Sequence, residues 1–351
     1  MSGTFTYSNP RIIHWGAGSV ERLGEELTRL DAGRILLLTT RSIAGDQALQ
    51  GAVRAAMAQA VIAASAVVGQ HAPLGEIEAA VETAAAARVD GVVSFGGGSV
   101  IDAAKIVSVK LADRDGREGR ALPHIAIPTT LSVAELAAGA GFTNEAGDKA
   151  GMRDPRLMPE CVIYDAELTL ATPIRLWLST GIRALDHAVE AFLAAGEHPF
   201  SDVMALESIR RLMASLPRTK VSPGDASLRV ENQLAAWFSF TLPGESASGL
   251  SHVMGKQIGA RHGIPHGVTS CLLMPHVMRY LARARPDRMA ALAEVTGDDP
   301  PARVEHLIAL LGLPQHIADF HVGEADLTRA ASELAGKYPA ADLLRIYLAA
   351  L

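Results

Sequence analysis

The chain has 351 residues, 49% of them hydrophobic and 20% charged, with a formal net charge of -6. That length suffices for two domains with separate cores, and the composition excludes a disordered chain and argues against a polyanion binder, so nucleic acid is not an expected partner. The N-terminus carries no basic, then apolar, signal segment and no apolar span reaches membrane length, so a soluble, cytoplasmic protein without a membrane partner is expected.

Along the chain, the first half alternates short apolar runs with Ala-rich helical patterns, as a parallel sheet with crossover helices does. Residues 34–40 read as a buried strand, 47–64 as an amphipathic helix leading to a strand at 65–68, and 76–87 as a further helix. Residues 91–95 read as a strand, broken by Gly96, Gly97, Gly98 and Ser99, with a helix from Val100 to about Leu111; 124–130 read as a strand running into a loop. From about Thr172 the pattern turns almost wholly helical, with breaks at Pro199, Pro217, Pro223, Pro243, the 255–265 region and Pro300-Pro301. The expected architecture is an α/β domain over 1–165 and an all-helical domain over 166–351. The two cysteines, Cys161 and Cys271, are too few and too far apart to suggest disulfides or a thiolate metal site and are expected to be buried thiols.

A strand ending in three glycines and a serine before a helix can cradle a phosphate, because the missing Cβ atoms let the backbone approach and the helix start offers amide donors. The bland alternative is a tight turn with Ser99 as the helix cap. The pattern is neither a dinucleotide G-x-G-x-x-G nor a Walker loop. The stretch from Trp15 to Ser19, with Gly16 and Gly18, reads as a plain loop rather than a second phosphate turn.

The segment from Gly96 to Lys105, with Pro128-Thr129-Thr130, the run Arg153 to Pro159, the run Gly181 to Glu190 and the run His252 to His266, resembles the iron-containing alcohol dehydrogenase family over nearly the whole chain. The resemblance implies a dinucleotide-binding α/β domain, a helical domain, a nicotinamide cofactor held between them, and a homodimer. Carried over by position, it implies that Gly97, Gly98, Ser99 and Asp102 meet the dinucleotide, that Thr129, Thr130 and Ser132 line its ribose side, and that Lys149 lies near the ribose. Many NAD-preferring relatives have an aspartate where this chain has Thr40, next to Arg41; an acid there grips the ribose 2′-OH and repels a 2′-phosphate, so NADPH is expected to be accepted alongside NADH.

In metal-dependent members of that family one Asp and three His hold a divalent ion, the Asp and first His four residues apart on one helical face. The matching residues here are Arg183, His187, His252 and His266. A guanidinium has no lone pair to give and repels a cation, and Asp186 beside His187 points about 100° away around a helix, so no metal is expected. Three neutral histidines could still hold zinc in principle. Lys256, one turn beyond His252, stands where these relatives have another histidine. Arg183 and Lys256 suit a substrate with carboxylates, unless Arg183 merely pairs with Asp186 or Glu190 and Lys256 is solvated.

The runs Pro128 to Glu135, Arg153 to Asp165, Trp177 to Glu190 and Pro265 to Cys271 are similar to one branch of the family, the maleylacetate reductases, with Val133-Ala134 departing from the branch's Gly-Ser. This second resemblance implies NADH- or NADPH-dependent reduction of the double bond of a small keto-dicarboxylate, maleylacetate, to 3-oxoadipate in aromatic-compound breakdown. Arg183, Lys256 or a histidine, His187 included, would stabilise the enolate, and His252 or His266 would supply the proton; His262, on a glycine-flanked loop, is a weaker candidate. The alternatives are a metal-dependent alcohol or polyol dehydrogenase, and a lyase that recycles its NAD.

Overall fold

The computed structural model describes residues 10–117, 119–196, 198–241 and 249–351; the expected break at Pro243 lies outside them. Two compact units result, one running to Thr172 and one from Pro173 to Leu351.

The first unit contains strands β1 (Ile12–Trp15), β2 (Arg34–Thr39), β3 (Val61–Val67), β4 (Gly91–Gly96), β5 (His124–Pro128), β6 (Gly139–Thr143), β7 (Lys149–Arg153) and β8 (Cys161–Tyr164), with helices α1 (Leu23–Arg29), α2 (Arg41–Ala44), α3 (Gln47–Ala55), α4 (Leu74–Ala86) and α5 (Gly98–Arg114). Six strands form a parallel sheet in the order β1-β8-β5-β4-β2-β3. Its central strands read as continuous apolar runs because both faces are buried: Leu36 and Leu38 enter one core while Ile35 and Leu37 enter the other. From β2 the chain steps outward to β3 and returns to β4 on the other side, so the strand order reverses between β2 and β4. Ligands of open α/β sheets bind beyond the strand ends at such a point.

Helix α3 stops at Ala55, nine residues short of the helix expected to Ala64. The alanines there are weaker determinants than Val61 and Ile62, which pair in parallel with Arg34 and Ile35, and Ala58 turns the chain at φ 53°. The antiparallel β6–β7 hairpin was not legible in the sequence, since Gly139, Gly141 and Gly151 dilute its strand signal; Asn144 closes its turn by accepting from Asp148 N at 2.7 Å. The unit continues past Asp165 because Leu168 packs into its core and Thr172 Oγ1 donates to Thr129 O at 2.8 Å.

The second unit is helical: α6 (Ile174–Leu193), α7 (Pro199–Val221), α8 (Ala226–Ser239), α9 (Leu250–His262), α10 (His266–Ala282), α11 (Pro286–Thr296), α12 (Pro300–Leu311), α13 (Glu324–Glu333) and α14 (Ala340–Ala349). Pro199 and Pro300 open helices as expected, where no amide donor is needed. Pro217, by contrast, lies inside α7, which continues to Val221 and does not break there. Close packing of α9 and α10 on their neighbours depends on glycine. A Cβ on Gly255 would fall 2.8 Å from Thr269 Oγ1, and one on Gly267 would fall 2.7 Å from Ser179 O. No helix among the described residues is long and apolar enough to cross a membrane.

Candidate active site

In the α/β unit the glycine turn after β4 forms a cradle. Helix α5 begins at Gly98, two residues earlier than expected, with Gly97 at its cap and no side-chain cap bond. Ser99 does not cap it: its hydroxyl accepts from His71 N at 2.9 Å. A Cβ on Gly97 would lie 3.1 Å from Thr130 Cγ2, and one on Gly98 would lie 2.9 Å from Ser132 Oγ. Thr130 Oγ1 and Ser132 Oγ are buried and find no hydrogen-bond partner among the described residues. Uncapped helix amides, bare glycine backbone and two orphan hydroxyls at one spot match the demands of a pyrophosphate, which needs donors and close backbone approach.

The loop that carries those hydroxyls is anchored from below. Lys105, fully buried, donates to Ala134 O, Ala137 O and Gly139 O at 2.5, 2.7 and 2.8 Å. Val133 adopts φ 55°, an uncommon conformation for a β-branched residue, at the position where the resembling branch has glycine. Asp102 accepts from Gly141 N at 3.0 Å, and burial raises its pKa against the pull of Lys105, Gly141 and Lys149. Lys149, on β7, also acts on His71, whose pKa is lowered by burial and then by that lysine's charge. Thr129 is buried, and Thr40 closes the end of β2, capping α2 by accepting from Ile43 N at 3.3 Å and hydrogen-bonding Ser42 Oγ at 3.0 Å.

In the helical unit, one face of α6 presents Arg183, His187 and Glu190 at helical spacing. Arg183 is 8% exposed; it donates to Ser270 Oγ at 3.3 Å and its guanidinium abuts His252 Nδ1. Guanidinium nitrogens only donate, so His252 Nδ1 must be the acceptor, with the ring neutral and its proton on Nε2. Burial first, then the charges of Arg183, His187, His266 and Lys256, hold the His252 pKa well below its usual value. The alternative pairing of Arg183 with Asp186 or Glu190 is not formed: among the described residues neither acid makes an ion pair with it. Both are turned toward α9 instead. Asp186 Oδ2 accepts from Ser251 Oγ at 2.9 Å, and Glu190 accepts from Gly249 N and His252 N at 3.0 and 3.1 Å. The two acids still act on Arg183 through space, offsetting the burial that lowers its pKa.

Glu190 thus supplies the cap that α9 lacks at Gly249, whose Cβ, if present, would fall 2.5 Å from the Glu190 carboxyl carbon. Burial, reinforced by Asp186, pushes the Glu190 pKa up. His187 sets its ring edge-on to Phe240 at 5.1 Å and tilted to His252 at 5.4 Å. His266 opens α10, half-buried, and Lys256 stands exposed one turn after His252. Among the described residues, the one grouping of three metal-ligating side chains at coordination range lies elsewhere, at His14, Glu26 and Cys161.

Residues 10–166 match the family model for iron-containing alcohol dehydrogenase, and residues 177–338 match that for the Fe-containing alcohol dehydrogenase family, C-terminal. The chain belongs to the iron-containing alcohol dehydrogenase family. Within that family it is 34% identical to a maleylacetate reductase of Rhizobium sp. (strain MTP-10005), over 95% of this chain and 92% of that one. It is 33% identical to a maleylacetate reductase of Pseudomonas aeruginosa, over 97% and 93% of the two chains. The crystal structure of maleylacetate reductase from Agrobacterium tumefaciens superposes with a TM-score of 0.86 at 31% identity, covering 100% and 99%.

For this member of the family the fold gathers Arg183, His187, His252, Lys256 and His266 within one unit, and Gly97, Gly98, Ser99, Asp102, Thr130, Ser132 and Lys149 within the other. Sequence reasoning missed His71, Ser251, Ser270 and Phe240, which are single residues of ordinary type that no motif marks. Lys105 was noted only by its place in the helix. Glu190 was weighed as a partner of Arg183, and its spacing from His252 gave no hint that it caps the helix carrying that histidine.

Proposed function

We propose that this protein is a nicotinamide-dependent maleylacetate reductase, adding hydrogen across the carbon-carbon double bond of maleylacetate to give 3-oxoadipate without a catalytic metal. The similarity to maleylacetate reductases above 30% identity over more than nine-tenths of the chain supports the substrate. The observation that carries the mechanism is the seat of Arg183: a buried cation stands where metal-dependent relatives place an acid, and it engages the Nδ1 lone pair that His252 would otherwise offer an ion. The donor set does not fit a divalent cation.

Reduced nicotinamide, held by the cradle of Gly97, Gly98, Thr130 and Ser132, would supply a hydride to the alkene carbon β to the ketone, which would leave negative charge on the ketone oxygen as an enolate. Arg183 and Lys256 bring positive charge to that oxygen and to the substrate carboxylates; Arg183 acts the more strongly because it is buried and little water screens it, whereas Lys256 is exposed. The enolate then takes a proton at the carbon next to the ketone. His252 is held neutral by its contact with Arg183 and suits an orienting role; His266, half-buried at the start of α10, suits the donor role. Gly97, Gly98, Thr130 and Ser132 fit the dinucleotide pyrophosphate, and Asp102 and Lys149 lie beside that cradle. At the end of β2, Thr40, Arg41 and Ser42 carry no acid to repel a 2′-phosphate, so NADPH is accepted alongside NADH.

The test is oxidation of NADH and of NADPH with freshly generated maleylacetate, using chelator-treated protein of measured metal content. Full activity is expected. Activity recovered only on addition of zinc or iron would overturn the metal-free mechanism, and activity on simple alcohols alone would overturn the substrate.

A further inference from the structure

A second cluster of reactive side chains lies in the α/β unit, on the sheet face covered by α1. Strands β1 and β8 pair in parallel with Ile12 opposite Cys161, and His14 is two residues beyond Ile12, so alternation puts His14 and Cys161 on one face. Helix α1 lays Glu26 over that face. The three candidate ligand atoms all lie within 4.8 Å of one another. Glu26 divides its oxygens: Oε1 meets His14 Nε2 at 2.9 Å and Oε2 accepts from Arg29 Nε at 2.7 Å. Cys161 is wholly buried, and its Sγ makes a long hydrogen bond to Val162 O at 3.8 Å.

We infer that His14, Glu26 and Cys161 form an accessory site for one soft divalent cation of the zinc type, separate from the catalytic residues. An imidazole, a carboxylate and a thiolate are a donor set that zinc takes readily, with water as a fourth ligand. Ligands at about 2.0–2.3 Å from a tetrahedral ion sit roughly 3.5 Å apart, so the cluster closes with side-chain shifts of about an ångström. Arg29 holds the carboxylate oxygen turned away from His14; its charge opposes the ion through space, and the two anionic ligands offset that repulsion. The ion's charge is balanced by Glu26 and by Cys161, whose proton is released on binding. Burial and then the charge of Glu26 push the metal-free thiol up to about 12. An ion can enter from the half-exposed His14, which lines a surface hollow of about 290 Å³ beside Trp15, Ser19 and Arg22. Bound there, it ties the edge strand β1 to β8 and α1.

The experiment is titration of the full-length, chelator-stripped protein with cadmium, read by thiolate-to-cadmium absorption, and then with zinc in competition. One equivalent should give the band, and zinc should abolish it. Cys161→Ser should lose the band entirely, and His14→Gln should weaken binding about tenfold or more. His252→Ala should keep the band, which places the ion outside the catalytic residues. The absence of a band in the wild-type protein, or a band that survives Cys161→Ser, overturns the inference. If Cys161→Ser does not fold, His14→Gln decides alone: unchanged cadmium affinity in that variant overturns it.

Discussion

Replacing Arg183 by Met tests the central claim with two readouts. The side chain is removed from direct contact with His252 Nδ1 and from Ser270, while most of its volume is kept. A like charge close to a titrating group disfavours its charged form. The His252 pKa should therefore rise in Arg183→Met, remaining below its ordinary value because burial, the largest cause, persists. If the guanidinium stabilises developing charge, its loss costs about 2.7–4 kcal/mol, or roughly a hundredfold to thousandfold in kcat. Asp186 and Glu190 lose a through-space partner, so a lower melting temperature is expected, and folding at 25 °C is verified by circular dichroism. Arg183→Lys, which keeps the charge and forfeits the planar fork, should fall between. The assays are steady-state maleylacetate reduction and a histidine NMR titration. A folded Arg183→Met with kcat within threefold of wild type would refute the role given to the cation. An unmoved His252 would refute the inferred contact.

Gly98→Ala places a Cβ 2.9 Å from Ser132 Oγ and fills the cradle; KM for NADH should rise about tenfold or more with the fold intact, and an unchanged KM would move the cofactor elsewhere. Burial pushes the Glu135 pKa up to about 7, and its Oε2 finds no partner among the described residues. A folded pKa above the unfolded one gives stability that is complete at low pH and is lost as pH rises through about 7, by about 3 kcal/mol in all. Urea unfolding at pH 5 and at pH 8.5 should show most of that loss in wild type and a much smaller one in Glu135→Gln, which still accepts from Tyr164. Thr40→Asp puts a carboxylate at the end of β2 and should depress activity with NADPH at least tenfold while sparing NADH; equal losses with both would refute the ribose assignment.

Much of this architecture was legible in the chain. Residues 34–40 and 91–95 announced buried strands because both their faces are apolar, and the four-residue spacing of Arg183 and His187 announced a shared helical face. Where reading failed, tertiary partners had overridden local pattern. Val61 and Ile62 became strand because Arg34 and Ile35 were available to pair with them. Pro217 stayed within a helix held by neighbours, and Ser99 gave its hydroxyl to His71 rather than to the helix start. The closeness of Cys161 to His14 and Glu26 was not legible either, because parallel pairing of β1 with β8 brings together residues far apart in sequence. The orientation of Glu190 was similarly hidden, since a carboxylate one helical turn from His187 carries no mark of the helix it will cap.

The glycines that let α9 and α10 pack so closely on their neighbours have a bearing on how this scaffold can be altered. With Gly267 against the Ser179 carbonyl and Gly255 against Thr269, the backbones carrying His252 and His266 are spaced by main chain and short side chains, to which Arg183 adds side-chain contacts with His252 and Ser270. The spacing of these helices therefore does not rest on the guanidinium alone. Arg183→Asp should return an acid to the face it shares with His187, at a cost in stability from a third buried acid near Asp186 and Glu190. An alkene reductase could in this way be turned into an ion-dependent carbonyl reductase by editing one side chain instead of rebuilding a domain.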